Sequence, residues 1–200
     1  MGIFDGLKRI FSKEKSETAS PTQPDPQDVI DRMFEAHKNR KIYKVLKAAD
    51  IDATPDENLV EVIWDNLTLK LNGDWNREKE VMASLSLARQ AIWQIWLLEA
   101  EVNNGGILQF YDNSSGEFAE PMPDSLRLVG APRFANLMDR THARVVAYRK
   151  ELAVGTKTED DWFELTEDLD AEFFKLYETE PLGQILIEFI RRNKEAFVDA

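Results

Sequence analysis

A chain of 200 residues with 43% hydrophobic content can bury one sizeable core and requires no second domain. Its net charge of −12 is uneven: residues 1–48 carry ten basic and seven acidic side chains, which leaves fifteen basic and thirty acidic for residues 49–200 and puts a front end at +3 ahead of a body at −15. Such a body repels a phosphate backbone, which argues against direct nucleic-acid binding and favours a basic protein as partner. The absence of cysteine excludes disulfides, thiolate metal sites and cysteine nucleophiles.

The front end opens on Gly2-Ile-Phe-Asp-Gly-Leu-Lys-Arg-Ile-Phe11, where Ile3, Phe4, Leu7, Ile10 and Phe11 recur at helical spacing beside Lys8 and Arg9. Residues 1–11 therefore read as a short amphipathic helix, able to make weak contact with an anionic membrane surface through residues 3–11 or to dock on a protein. Residues 12–26, rich in proline and polar side chains, read as a flexible linker. The composition places the chain in the cytoplasm, with peripheral contact at the inner membrane face as an option, since neither a secretory signal pattern nor about twenty unbroken apolar residues can be found.

Residues 27–200 read as one acidic, all-α domain of about seven or eight helices around a long central helix. Asp25-Pro26-Gln27-Asp28 opens a helix running toward Val45 and Leu46, and Thr54-Pro55-Asp56-Glu57 has the form of a capping box before the next. After the turn Asn72-Gly73-Asp74, a long helix is expected from about Asn76 to Val102, buried along Ala91-Ile-Trp-Gln-Ile-Trp-Leu-Leu-Glu-Ala100.

That helix runs into Glu101-Val-Asn-Asn-Gly-Gly-Ile-Leu-Gln-Phe-Tyr-Asp-Asn-Ser-Ser-Gly116. Asn103, Asn104, Gly105 and Gly106 suit a helix end that needs positive φ. Gln109, Asn113, Ser114 and Ser115 add amides and hydroxyls that either tie the corner internally or form a recognition patch. The stretch Glu101 to Gly116, followed by Pro123-Asp124-Ser125-Leu126 and Leu128-Val129-Gly130-Ala131-Pro132, resembles the core motif of a bacterial all-helical family of unknown biochemical function that includes an acidic DNA-mimic protein. The resemblance spans roughly residues 50–190; it implies an all-helical fold and a DNA-mimic role as one functional possibility.

The residues themselves offer a place for mimicry. Residues 156–180 hold ten acidic side chains against two lysines. On a helix, Trp162, Leu165, Leu169, Phe173 and Leu176 form the apolar stripe. Asp161, Glu164, Asp168 and Glu172 form another stripe about 16 Å long, with Asp160 and Glu167 beside it. This row either faces a basic, nucleic-acid-binding partner or is neutralised internally by Arg133, Arg140 and Arg144.

An enzyme is the weaker expectation. No P-loop, nucleophile–base pair or metal-ligand spacing accompanies His37 or His142, both read as surface residues, and no metal or cofactor is expected. A hydrolase would have to draw on Glu101, Gln109, Asp112 and Asn113. A membrane- or partner-tethered adaptor is the remaining alternative.

Overall fold

The structure, a computed structural model, describes residue 38, residues 40–158 and residues 161–199, the last without the side chains at 163 and 164. The chain divides into two units, Met1–Ile42 and Tyr43–Ala200. The first is described only at residues 38 and 40–42, so the amphipathic N-terminal segment, the linker, the helix opening at Asp25 and His37 lie outside the described residues, as does Asp160.

The second unit is all-helical, with no strand among the described residues. Its α-helices are α1 (Ala48–Ala53), α2 (Asp56–Lys70), α3 (Glu78–Ala83), α4 (Leu87–Asp112), α5 (Met122–Val129), α6 (Pro132–Ala153), α7 (Asp161–Glu164), α8 (Glu167–Leu176) and α9 (Leu182–Arg192). Short 3-10 turns occupy Trp75–Arg77, Ser114–Phe118 and Lys194–Phe197. Helix α4 is the centre: Ala91, Ile92, Trp93, Ile95, Leu98 and Val102 are buried, and the helix lies against α2, α3, α5 and α8. Trp64 of α2 stacks against both Trp93 and Trp96, at 3.9 and 3.6 Å between ring centroids, and within this stack Trp93 is fully buried while Trp64 and Trp96 are half-buried.

Three expectations about helix limits change. The helix expected to reach Val45 and Leu46 does not: residues 40–47 are non-helical, because the Leu46 N–H donates to the Asp199 carboxylate at 2.9 Å and its carbonyl accepts from the Asp199 N–H at 2.8 Å. Thr54 forms no capping box; its hydroxyl donates back to the Asp50 carbonyl at 2.7 Å, closing α1, and α2 starts after Pro55 without a side-chain cap. The central helix starts at Leu87 rather than near Asn76, since the Ser86 hydroxyl accepts from the Arg89 N–H at 3.3 Å and serves as its N-cap.

The residue 156–180 segment is likewise two helices, α7 and α8, broken at Leu165–Thr166. Its apolar stripe is as expected, with Leu169 and Phe173 buried and Trp162, Leu165 and Leu176 packed against the core. Helix α8 lies against α6, and the Glu180 carboxylate, just past it, accepts from the Arg133 and Phe134 N–H groups at 3.1 and 2.9 Å. A carboxylate distant in sequence thus caps the N-terminus of α6, where the helix dipole favours negative charge.

Candidate functional site

The polar motif lies on both sides of a kink inside α4. Helical geometry continues through Asn103 and Asn104 and fails only at Gly105 and Gly106, after which the helix resumes from Ile107 to Asp112. Gly106 has φ +85° and ψ 179°, a conformation that costs a non-glycine residue dearly. Positive φ is therefore confined to Gly106, whereas Gly105 has φ −155°. A Cβ at Gly105 would instead collide with the Gln109 side-chain amide, which folds back over the kink.

The amides and hydroxyls converge on one carboxylate. Glu101, half-buried, accepts from Gln109 Nε2 at 2.6 Å and Asn113 Nδ2 at 2.8 Å through Oε2, and from Ser115 Oγ at 3.2 Å through Oε1. Ser115 also reaches the Phe110 carbonyl at 3.2 Å. Residues before and after the kink are thereby held by a charge-assisted knot, which closes the corner internally. The remaining motif residues have separate places. Asn103 Nδ2 donates to the Glu99 carbonyl at 2.7 Å, Asn104 and Ser114 are exposed, and Gly116 sits where a Cβ would lie 2.7 Å from the Tyr111 carbonyl oxygen. Of the four residues a hydrolase would draw on, Glu101, Gln109 and Asn113 come together, while Asp112 accepts from Trp162 Nε1 at 2.8 Å.

Two further carboxylates bind the kinked helix to α8. Asp170 Oδ1 accepts from the Ile107 N–H at 2.7 Å, capping the second half of α4 from another element. Burial raises its pKa, a nearby Asp168 adds to the rise, and the Ile107 N–H opposes it. Glu99 Oε1 accepts from the Tyr177 hydroxyl at 2.7 Å. Sequence reasoning passed over Asp170 and Tyr177. Their signal is nonetheless present: Thr166, Asp170, Phe173 and Tyr177 fall at i, i+4, i+7 and i+11, so polar groups share the inward face with a core aromatic.

Burial pushes the Glu99 carboxyl up to about 7, the Tyr177 hydroxyl opposing the rise only in part. The fold therefore favours the protonated acid. Its contribution to stability is complete below the ordinary carboxylate range near pH 4 and is lost as pH rises through about 7. Glu99→Gln keeps a neutral acceptor in place. Its stability relative to the parent is expected to improve by about 2 kcal/mol between pH 5 and pH 8, a value discounted for partial exposure. Urea unfolding at the two pH values measures this; an unchanged difference would remove the effect from Glu99.

The acidic row is present but largely partnered. Arg144 pairs with Asp168 at 2.6 Å and also donates to the Leu165 carbonyl at 3.0 Å; Arg140 pairs with Glu172 at 2.6 Å. Hydrogen bonding to Arg144 holds the Asp168 carboxyl below its ordinary value. Asp161 accepts from the Thr158 N–H at 2.8 Å and pairs with Lys157 at 3.3 Å, which lowers its carboxyl too. Glu167 is exposed, Glu164 belongs to α7, and Arg133 meets Glu180 through its backbone N–H. The pairs at Asp168 and Glu172 are solvent-facing, with those side chains 65% and 41% exposed, so both carboxylates remain accessible to a competing cation.

His142 is not the surface residue expected: it is half-buried, its ring stacks on Tyr111 at 6.1 Å, and its Nδ1 has no hydrogen-bond partner among the described residues. Among those residues no group of three or more histidine and carboxylate side chains is arranged to hold a metal ion, and no helix is long and apolar enough to cross a membrane.

The model of a family described as DMP19-like protein matches residues 83–193, more than half of the 200-residue chain. The match takes in the kinked helix with its motif, α5, α6, and the α8 and α9 region. No curated protein and no solved structure matches the chain.

Proposed function

The chain belongs to the DMP19-like protein family, and from that premise we propose that its acidic body is a protein-binding module that occupies the DNA-binding surface of a basic nucleic-acid-binding protein. The observation that carries this reading is the charge of the body, thirty acidic against fifteen basic side chains over residues 49–200, with solvent-facing carboxylates along α8. A resemblance to a family with an acidic DNA-mimic member supplies the mimic component. In this reading the Asn-Gly-Gly motif is the support: Glu101 closes the kink, and Asp170, held at the kink, seats the helix that presents Asp168 and Glu172.

A cationic partner surface exchanges the exposed pairing of Asp168 and Glu172 with Arg144 and Arg140 for contacts of its own. Both partners are hydrated before and after, so the gain is modest per pair and sensitive to salt. The Asp168→Lys/Glu172→Lys variant tests the reading. Its affinity for a basic DNA-binding protein is expected to fall at least about tenfold, with a flatter salt dependence and an unfolding midpoint close to the parent's, because exposed charge changes cost little stability. Calorimetric titration at several salt concentrations measures both quantities. Unaltered affinity would place the contact surface elsewhere and remove α8 from the account.

A further inference from the structure

The outer face of α8 carries more than charge. Glu167, Ala171 and Phe174 occupy positions i, i+4 and i+7, which lie on one side of a helix, and Glu178 follows in the turn just beyond it. All four are exposed, and Phe174 has 47% of its surface open to solvent, in contrast to its fully buried neighbour Phe173. The Phe174 ring rests edge-on against Phe173 at 5.8 Å, so it is an aromatic with a fixed base. Neither Glu167 nor Glu178 has an ion-pair partner among the described residues, whereas Asp168 and Glu172, round the helix, are engaged by Arg144 and Arg140. Lys175 lies between the two flanks and is itself exposed.

We propose that Glu167, Ala171, Phe174 and Glu178 form a docking stripe for a basic protein surface whose cations flank an apolar groove, with Phe174 as the anchor that enters it. This rests on the acidic-module reading and narrows it to a class of partner. Charge complementarity commits the occupant: carboxylates without an ion-pair partner among the described residues bracket the aromatic ring on a body already at −15, so a surface with cations on both sides of an apolar element matches the stripe. Aromatic side chains held in a ring of polar contacts are the residues that dominate interface energetics. A phosphate row offers no such ring, so Phe174 gives the module a means of choosing among basic partners that charge alone does not supply.

The full chain is titrated with two peptides of equal charge, a helical lysine–leucine peptide with an apolar stripe between its lysines and an oligolysine. The parent is expected to prefer the lysine–leucine peptide. Phe174→Ala should weaken that complex about tenfold while leaving oligolysine binding nearly unchanged, and Phe174→Leu should keep most of the preference. Glu167→Gln/Glu178→Gln should weaken both complexes and flatten their salt dependence. Circular dichroism melts of each variant confirm an intact fold. If Phe174→Ala binds the lysine–leucine peptide as the parent does while oligolysine is still bound, the stripe is overturned and the acidic-module reading stands. If the parent binds neither peptide, both are overturned.

Discussion

Replacing Asp199 with alanine is expected to destabilise the domain by about 3 kcal/mol, more than any other single carboxylate removal. The reason is the number of groups that depend on this residue. Its carboxylate accepts from Lys70 Nζ at 2.6 Å, Arg89 at 2.8 Å, Asn66 Nδ2 at 2.9 Å and the Leu46 N–H at 2.9 Å. The side chain of Arg89 is only 9% exposed and that of Asp199 12%, so deletion leaves a guanidinium without its carboxylate and the Leu46 N–H without its acceptor in a poorly hydrated site. Burial by itself would raise the Asp199 carboxyl, but the bonds from Lys70, Leu46, Asn66 and Arg89 outweigh it and hold the group well below the ordinary range. Its stabilisation is therefore whole above about pH 4 and decays on acidification below that. Urea unfolding of Asp199→Ala at pH 7 should show the loss, and the gap between parent and variant should narrow at pH 3. A loss under about 1 kcal/mol at pH 7 would mean that the C-terminal segment is not clamped by this carboxylate.

The second large effect is expected at Gly106. A methyl group there meets two costs at once: the backbone stays at φ +85° with extended ψ, and the new Cβ would lie 2.8 Å from Asp170 Oδ2. Relief of the clash requires the carboxylate to retreat from the Ile107 N–H, which uncaps the second half of α4. Gly106→Ala is therefore expected to cost about 3 kcal/mol, and Gly105→Ala distinctly less, since at φ −155° the obstacle is the movable Gln109 side chain. Thermal melts of the two variants make the comparison. Equal losses would show that space, not backbone conformation, governs the pair.

The contrast between these glycines marks how far sequence reading carries. That the Asn-Gly-Gly run breaks a buried helix is legible, because an apolar period ends there and only glycine adopts positive φ without penalty. Which glycine does so is not, since the answer depends on Asp170, 64 positions after Gly106 and supplied by a helix whose placement follows from the whole core. The same limit explains the helix starts. Thr54-Pro55-Asp56-Glu57 satisfies the local rule for a cap, yet Thr54 turns to Asp50, and Arg191 from α9 reaches the Thr54 carbonyl at 2.6 Å. At Thr54 one local bond displaces another, whereas at Leu46 a long-range partner wins: Asp199 takes the N–H that a helix would have used.

Within the site, the convergence of Gln109, Asn113 and Ser115 was open between an internal tie and a recognition patch, and the shared Glu101 carboxylate supplies the tie. The acidic row is legible from composition and period, and its pairing with Arg140 and Arg144 is one of the two alternatives the sequence leaves open; the choice depends on the antiparallel placement of α6 and α8. The apolar period picks out Phe173 and leaves Phe174 outside the stripe, since a helix directs neighbouring residues to different sides. The exposed one is the informative one.

As a DNA mimic, the acidic body contends with duplex DNA for one cationic surface. Displacement is the direct measurement: a fluorescently labelled chain is bound to a basic DNA-binding protein isolated with it, and unlabelled duplex DNA is added at fixed salt. Competitive displacement is expected, in which the apparent dissociation constant of the chain rises in proportion to free DNA and no ternary complex forms. A ternary complex, or an affinity for the chain that does not change as DNA saturates the partner, would contradict it.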